Sequence, residues 1–485
     1  MGSHESVAPL SPGRHAGRLT LQALSVSASQ DLAVALGASA ERRAVPAPAG
    51  VQWAGRARAV APTALAAALT LTVVAAALAG LGASRPVPLF VLLGVGAVAA
   101  QTWQPWRRVI ALGAGVTGLV ALNPMFGVVF AGLVGLLASC RRRFWPFVVL
   151  LLAGAIVLPK MAYARHYHDP GYWNWLNEPS LALALFASAL WWRARADVGR
   201  AQAGGRAPDD AVSFWLLYFL PGQAAFPMVF SPRVLDRHDQ QPGARPPDLR
   251  AVAPLLGWFA AKTVALVLLR RLAPHALPHA FLREVVAVDV ARLGRAQLRL
   301  IVFGSYVELY LALAVTADVP VLLARLYGWS VPAPFRAALL AWNPVELWRR
   351  WGLYNRALLL QLIYFPLGGG ERHRYRNVML TFLGSALLLH SGWFGSKYWQ
   401  VGAGGWRDET LYFLLQGLAV CACLRWVPRA SSERAPAPWG ARWSWGRAAG
   451  IAATQTWSAL VHVVVLAQGI DLATRGRLIA RCLGL

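Results

Sequence analysis

Charge is scarce in this sequence, and acidic charge scarcest. Only 14% of the 485 residues are Asp, Glu, Lys or Arg, with 21 acids set against 47 bases. Alongside 57% hydrophobic residues and a mean hydropathy of +0.46, that scarcity excludes an ordinary soluble globular protein, whose charged share is about a quarter. Cysteine is nearly absent. The four present, Cys140, Cys421, Cys423 and Cys482, lack metal-ligand spacing, and Cys421 and Cys423 lie two apart on one predicted helix, pointing away from each other. Neither a disulfide framework nor a zinc site follows. The first 58 residues lack the apolar core of a signal peptide beside a cleavage site. Rich in Ala, Ser and Arg, they predict a flexible or weakly helical extramembrane tail. No repeat of solenoid type is visible.

Long apolar runs are what the chain has instead. Crossing a hydrocarbon layer takes about 20 mostly apolar residues. Windows that meet or approach this are Ala59–Ala83, Pro86–Trp103, Val109–Leu122, Met125–Ser139, Phe147–Leu158, Leu181–Trp192, Val212–Phe230, Ala251–Leu269, Leu298–Ala317, Val378–Trp393, Leu411–Trp426 and Ile451–Gln468. Some are short enough to be halves of one hairpin, so the pattern predicts an all-α polytopic membrane protein with roughly ten or eleven spans. The expected organisation is a tail over 1–58, a transmembrane domain over 59–470 and a short C-terminal tail over 471–485.

A formal net charge of +26 would point to nucleic acid in a soluble protein. Here the bases fall mostly in short connectors, such as Arg141–Arg143, Arg193–Arg206 and Arg270–Arg271, where they meet anionic headgroups and help set topology. No nucleic-acid partner is expected; the bilayer is. Arg233–Arg250 is polar and proline-bearing and reads as a surface loop, while Arg271–Gln297 mixes arginines with apolar residues at helical spacing and suits the membrane interface. Trp173 and Trp175 resemble an interfacial aromatic belt.

The stretch "AWNPVELWRRWGLYNRALLLQLIYFPLGGG", Ala341 to Gly370, departs from this pattern. Glu346, Arg349, Arg350, Asn355 and Arg356 would be expensive facing lipid, yet the following Ala357–Leu367 is apolar. A segment that dips into the protein and lines a wet cavity fits both halves, because polar groups at membrane depth are tolerated where protein or water solvates them. Pro366 and Gly368, Gly369 and Gly370 then end it with a turn. A basic linker, Glu371–Arg376, precedes the apolar run Asn377–Gly395, which carries one ionisable side chain near its far end, His390.

The order "WRRW" (348–351), "YFPLGG" (364–369), basic linker and "RNVMLTFLGSALLLHSGW" (376–393) resembles the membrane-bound O-acyltransferases (MBOAT), whose bacterial branch includes the alginate O-acetylation and teichoic-acid D-alanylation proteins. "ADVPVLLARLYGW", Ala317 to Trp329, is similar to the family's Asp-bearing segment upstream, and "YFLPGQAAFPMVFSP", Tyr218 to Pro232, loosely to a proline-containing one. The signature region runs over 306–395, and the match is clearest over about Tyr306–Trp393, roughly a fifth of the chain. Gly352 stands where bacterial members commonly carry a second histidine. Leu389 replaces the tryptophan of the family's "WHG", and Leu360 and Gln361 replace an Arg-Asp pair; Tyr354 and Arg356 suggest a divergent branch.

The resemblance implies re-entrant and interfacial helices around a central tunnel, with an acyl thioester donor, acyl-CoA or acyl-carrier protein, entering from the cytoplasmic side and a hydroxyl-bearing acceptor from the other. They would meet near His390, a neutral imidazole acting as general base. No permanently bound cofactor or metal is expected. Arg349 and Arg350 would bind a phosphate or carboxylate of the donor or its carrier, and Trp348 and Trp351 would stack on those arginines and wall the cavity, with Tyr354, Asn355 and Asp318 as further substrate contacts. Plainer roles compete. Arg349 and Arg350 would equally pair with Glu346, Asp318 or headgroups and lock the segment, and Asp318 would equally cap a helix running to Tyr327. His462, in a span with no motif, reads as structural or cavity-lining. "HYHDP", His166 to Pro170, places histidines at i and i+2 with no further ligand cluster and reads as an interfacial loop.

Three functions fit: transfer of acetyl or another short acyl group to a cell-envelope glycan or similar acceptor in the inner (plasma) membrane, a reaction open to an extracytoplasmic or carrier-protein partner; a non-catalytic scaffold of the same fold; and, last, a transporter, for which only one of the expected paired broken helices is found.

Overall fold

A backbone surrounded by apolar side chains and lipid has only its own carbonyls to bond, so apolar windows close into helices. The computed structural model describes residues 64–77, 87–103, 106–122, 249–329, 331–386, 405–426, 444–467 and 470–485. All lie in one compact unit, Ala44–Ser432 with Arg442–Leu485. In chain order the helices are α1 Ala64–Ala77, α2 Val87–Thr102, α3 Arg107–Leu122, α4 Leu249–Ala276, α5 Ala287–Arg292, α6 Arg295–Leu326, α7 Pro344–Arg350, α8 Leu353–Leu359, α9 Arg374–Gly384, α10 Gly405–Trp426, α11 Trp445–Leu466 and α12 Leu472–Leu483. No strand occurs among the described residues.

The chain is an all-α membrane protein. Three described helices, Val252–Ala276 within α4, α6 and α11, are long and apolar enough to cross a bilayer. The apolar windows expected at Pro86–Trp103, Val109–Leu122, Ala251–Leu269, Leu298–Ala317, Leu411–Trp426 and Ile451–Gln468 fall on α2, α3, α4, α6, α10 and α11. Those between Met125 and Phe230, together with the 1–58 tail, "HYHDP" and the Trp173/Trp175 pair, lie outside the described residues. The C-terminal segment expected as a tail is helical: Asp471 caps α12, its side chain accepting from the Thr474 N–H and hydroxyl at 2.9 and 2.7 Å. Those bonds favour the ionised carboxylate and hold its pKa below the usual value.

α6 is the axis of the unit. It packs along α4 and α11 and touches α2 and α12, and its buried side chains run from Leu298 to Leu326. Two ion pairs fasten it to α4: Lys262 to Asp318, and Arg270 to Glu308 at 2.5 Å. Residue numbers rise along α4 as they fall along α6, so the two helices are antiparallel. Asp318 therefore does not cap a helix running to Tyr327. It sits inside α6, which continues through Pro320 to Leu326, and its carboxylate is neutralised by Lys262. The reason is the lateral partner: an isolated carboxylate at this depth would carry an uncompensated desolvation cost.

Removing one member of a buried pair strands the other. Lys262→Met is expected to destabilise the detergent-solubilised protein by about 3 kcal/mol, and Lys262→Met combined with Asp318→Leu to recover most of that loss; thermal unfolding of the three variants checks it.

Candidate functional site

The Ala341–Gly370 stretch forms a broken helix, and each break has a local cause. Asn343 is the N-cap of α7, its Oδ1 accepting from the Glu346 N–H at 2.8 Å, and Pro344 supplies the preset φ of the first turn. Glu346 closes the box in reverse by accepting the Trp342 N–H at 3.0 Å. Its other oxygen takes a hydrogen bond from Arg350 at 2.5 Å, and both side chains are buried. α7 stops because Gly352 adopts a left-handed conformation, φ +63°, after which α8 starts in a new direction. A histidine at 352 would have to hold that same backbone strain, which gives a physical setting for the glycine found there. α8 then widens into a π-helical turn, Leu360–Tyr364, before the glycine turn at Gly368 and Gly369, where φ is +97° and +57°. The Asn377 amide knits that turn by donating to the Leu367, Gly369 and Arg372 carbonyls at 3.0, 2.9 and 2.6 Å.

Irregular backbone inside an apolar protein needs side chains to satisfy it. Gln455 of α11 donates to the Ala338 and Ala341 carbonyls, both at 3.2 Å, while its oxygen accepts from Tyr306 of α6 at 2.8 Å. Tyr310 accepts from the Ala338 N–H, and Tyr354 donates to the Pro332 carbonyl at 2.6 Å. α11 comes close enough for this because of Gly450: a Cβ there would stand 2.6 Å from the Trp342 carbonyl oxygen.

Two aromatic clusters grow from the tryptophans of "WRRW". Trp351 packs on Tyr306, Tyr310 and Phe335 and lies 5.9 Å, ring to ring, from His462. Trp348 faces the other way, onto Phe382 and Phe413 at 5.1 and 5.9 Å. Both tryptophans thus pack ring on ring against neighbouring helices, while Arg350 is held by Glu346.

Between these clusters sits His462, 4% exposed. Its Nδ1 lies 2.6 Å from the Ser458 carbonyl and its Nε2 2.9 Å from the Tyr412 hydroxyl. A carbonyl only accepts, so Nδ1 carries the proton, and Nε2 of the neutral ring accepts from Tyr412. Around this pair, Trp348 Nε1, both amide atoms of Gln416 and the Ser458 hydroxyl are buried without a hydrogen bond of good geometry, with Gln416 beside the Tyr412 hydroxyl and Ser458 beside that of Tyr306. Gln416 and Ser458 are fully buried. Each such group costs about 1–3 kcal/mol, so their grouping in one seam marks a place kept polar against stability.

The structure thus assembles Trp348, Arg349, Arg350, Trp351, Tyr354 and Asn355 on α7 and α8, and spends Asp318 on Lys262. His390 lies outside the described residues. No sequence motif marks Tyr306, Tyr412, Gln416, Gln455 or Ser458, and His462 reads from the sequence as structural or cavity-lining. The readable signal was spacing: Tyr412 with Gln416, and Ser458 with His462, stand at i and i+4 in apolar runs. No group of three or more metal-ligating side chains occurs among the described residues.

No family model matches the chain. It is similar to the peptidoglycan O-acetyltransferase of Helicobacter pylori, 29% identical over 89 residues, which is 18% of this chain and 17% of that protein. It is also similar to the probable alginate O-acetylase AlgI of Pseudomonas putida, 26% identical over 107 residues, 21% of each chain. The similarity spans about a fifth of the length of these relatives.

The close approach at Gly450 is directly testable. Gly450→Ala should destabilise the protein by about 1–3 kcal/mol by forcing α11 off the Trp342 backbone. Gly446→Ala, one turn earlier with open space around its Cβ, should stabilise it by about 0.5–1 kcal/mol through helix propensity. Equal effects of the two changes on unfolding temperature would contradict this packing.

Proposed function

We propose that the protein is a membrane-embedded O-acyltransferase of the inner membrane, multi-pass, which moves acetyl or another short acyl group from a thioester donor, acyl-CoA or an acyl-carrier protein, to a hydroxyl of a cell-envelope glycan. The observation that carries this reading is the similarity to two proteins named for O-acetylation of envelope polysaccharides, and the buried polar seam beside the broken segment supports it. In this reaction the acceptor oxygen attacks the thioester carbonyl, the C–S bond breaks, and the proton leaving the hydroxyl returns to the departing thiolate. His390 is the base that takes it. Arg349 binds the anionic part of the donor. Arg350, paired with Glu346, keeps α7 in place, and Trp348 and Trp351 wall the site. Tyr354 holds the loop through Pro332, and Asn355 stands beside the Gly352 bend as a donor contact. Asp318 acts at a distance, by fixing α6 against α4.

A non-catalytic scaffold is the rival, favoured by Gly352 and Leu389 within the signature. The deciding experiment uses the full chain in liposomes with acetyl thioesters and either muropeptides or alginate oligosaccharides. Transfer is expected, and His390→Ala should lower it about 100-fold or more with the unfolding temperature unchanged. A wild type inert toward every donor and acceptor pair would favour the scaffold.

A further inference from the structure

The polar seam between α7, α10 and α11 contains more hydrogen-bonding capacity than the protein uses. We propose that Tyr412, Gln416, Ser458 and Trp348 form the subsite that recognises the hydroxyl groups of a sugar acceptor, with His462 as the residue that positions Tyr412. This rests on the acyl-transfer reading and deepens it by assigning the acceptor side of the site.

The argument starts from the imidazole. Because Nδ1 is committed to the Ser458 carbonyl, Nε2 fixes the Tyr412 proton on itself. The phenol oxygen is thereby turned into a pure acceptor towards the seam. Gln416 stands one turn along the same face of α10, beside the Tyr412 hydroxyl, and offers two N–H donors and a carbonyl acceptor that make no hydrogen bond of good geometry, from a fully buried position. Trp348 Nε1 adds one donor, and Ser458 Oγ one group that does both. Sugar hydroxyls donate and accept at once, and vicinal pairs need such an alternating set; a thioester carbonyl or an acyl chain needs none of it. The rings of Trp348, Phe382 and Phe413 form an apolar wall beside these groups, suited to the C–H face of a pyranose. None of the four groups is charged, so recognition would be of neutral hydroxyls; the nearest ionisable neighbour on α10 is the buried Glu409, one turn before Tyr412.

The test compares acceptor and donor kinetics in the full chain reconstituted in liposomes, with an acetyl thioester as donor and either alginate oligosaccharides or muropeptides as acceptor, alongside hydrolysis of the thioester without acceptor. Tyr412→Phe and Gln416→Met are each expected to raise the acceptor KM about 10- to 100-fold while donor KM and thioester hydrolysis stay within about threefold. His462→Leu, which frees the Tyr412 proton, should behave like Tyr412→Phe, and His462→Gln, whose amide oxygen can accept that proton, should recover most of the loss. Gln416→Met should leave the unfolding temperature unchanged or raise it, because the amide it removes makes no well-formed hydrogen bond to the protein. An acceptor KM unchanged in both Tyr412→Phe and Gln416→Met would overturn the assignment and leave the seam to water. So would a fall of more than about 5 °C in Gln416→Met, which would make the amide structural. A wild type that neither transfers nor hydrolyses any thioester overturns the transfer reading and this subsite with it, whereas transfer that survives these variants overturns the subsite alone.

Discussion

Among the described residues, the segments that are not plain helix depend on one constraint: backbone that leaves the helix inside an apolar protein must be hydrogen-bonded by side chains where water is excluded. Gln455 meets that demand at the centre. One amide from α11 satisfies two carbonyls of the loop before α7 and accepts from a tyrosine of α6. The three-way tie fixes where α7 begins, and the Glu346–Arg350 pair and Gly352 then fix where it ends. Without the tie, the tryptophans of "WRRW" would have no defined neighbours and the seam around His462 no floor.

The same constraint makes polar groups informative. Lys262 with Asp318, Arg270 with Glu308 and Arg475 with Asp408 are each matched, the last also donating to the Val464 and Ile470 carbonyls. Such pairs hold helices in register and need no further role. Gln416, Ser458 and Trp348 differ because their polar atoms are buried and unmatched. Arg325 Nε and Arg350 Nε are buried and unmatched too, but only Gln416, Ser458 and Trp348 gather around His462, beside the segment whose sequence is most unusual, where a ligand would complete the missing bonds.

How much of this the sequence disclosed follows from the range of each interaction. Local chemistry was readable: Asn343-Pro344 as a helix start, Gly368-Gly369 as a turn, and a polar segment that breaks off rather than spans. The apolar windows located α2, α3, α4, α6, α10 and α11 because that signal is carried by composition alone. Asp318, read as a substrate contact or equally a helix cap, showed no sign of its ion pair because Lys262 lies 56 residues away on another helix. His462 reads from the sequence only as structural or cavity-lining for the same reason. Its surroundings come from Tyr306, Trp351 and Tyr412, none of them close to it in sequence, and only packing brings them together. Resemblance supplied the chemistry that neither composition nor packing states, over about a fifth of the chain.

The central claim is that the unmatched polar seam is where the substrate's hydroxyl meets the activated acyl group. A cryo-EM structure of the protein in lipid nanodiscs, with a non-transferable acetyl thioester analogue and a short glycan acceptor, tests it most directly. The account predicts the glycan hydroxyls bonded to the Gln416 amide and the Tyr412 oxygen, with the acyl carbon next to them. A seam closed by protein, the Gln416 amide bonded to backbone and the analogue bound elsewhere, would contradict it.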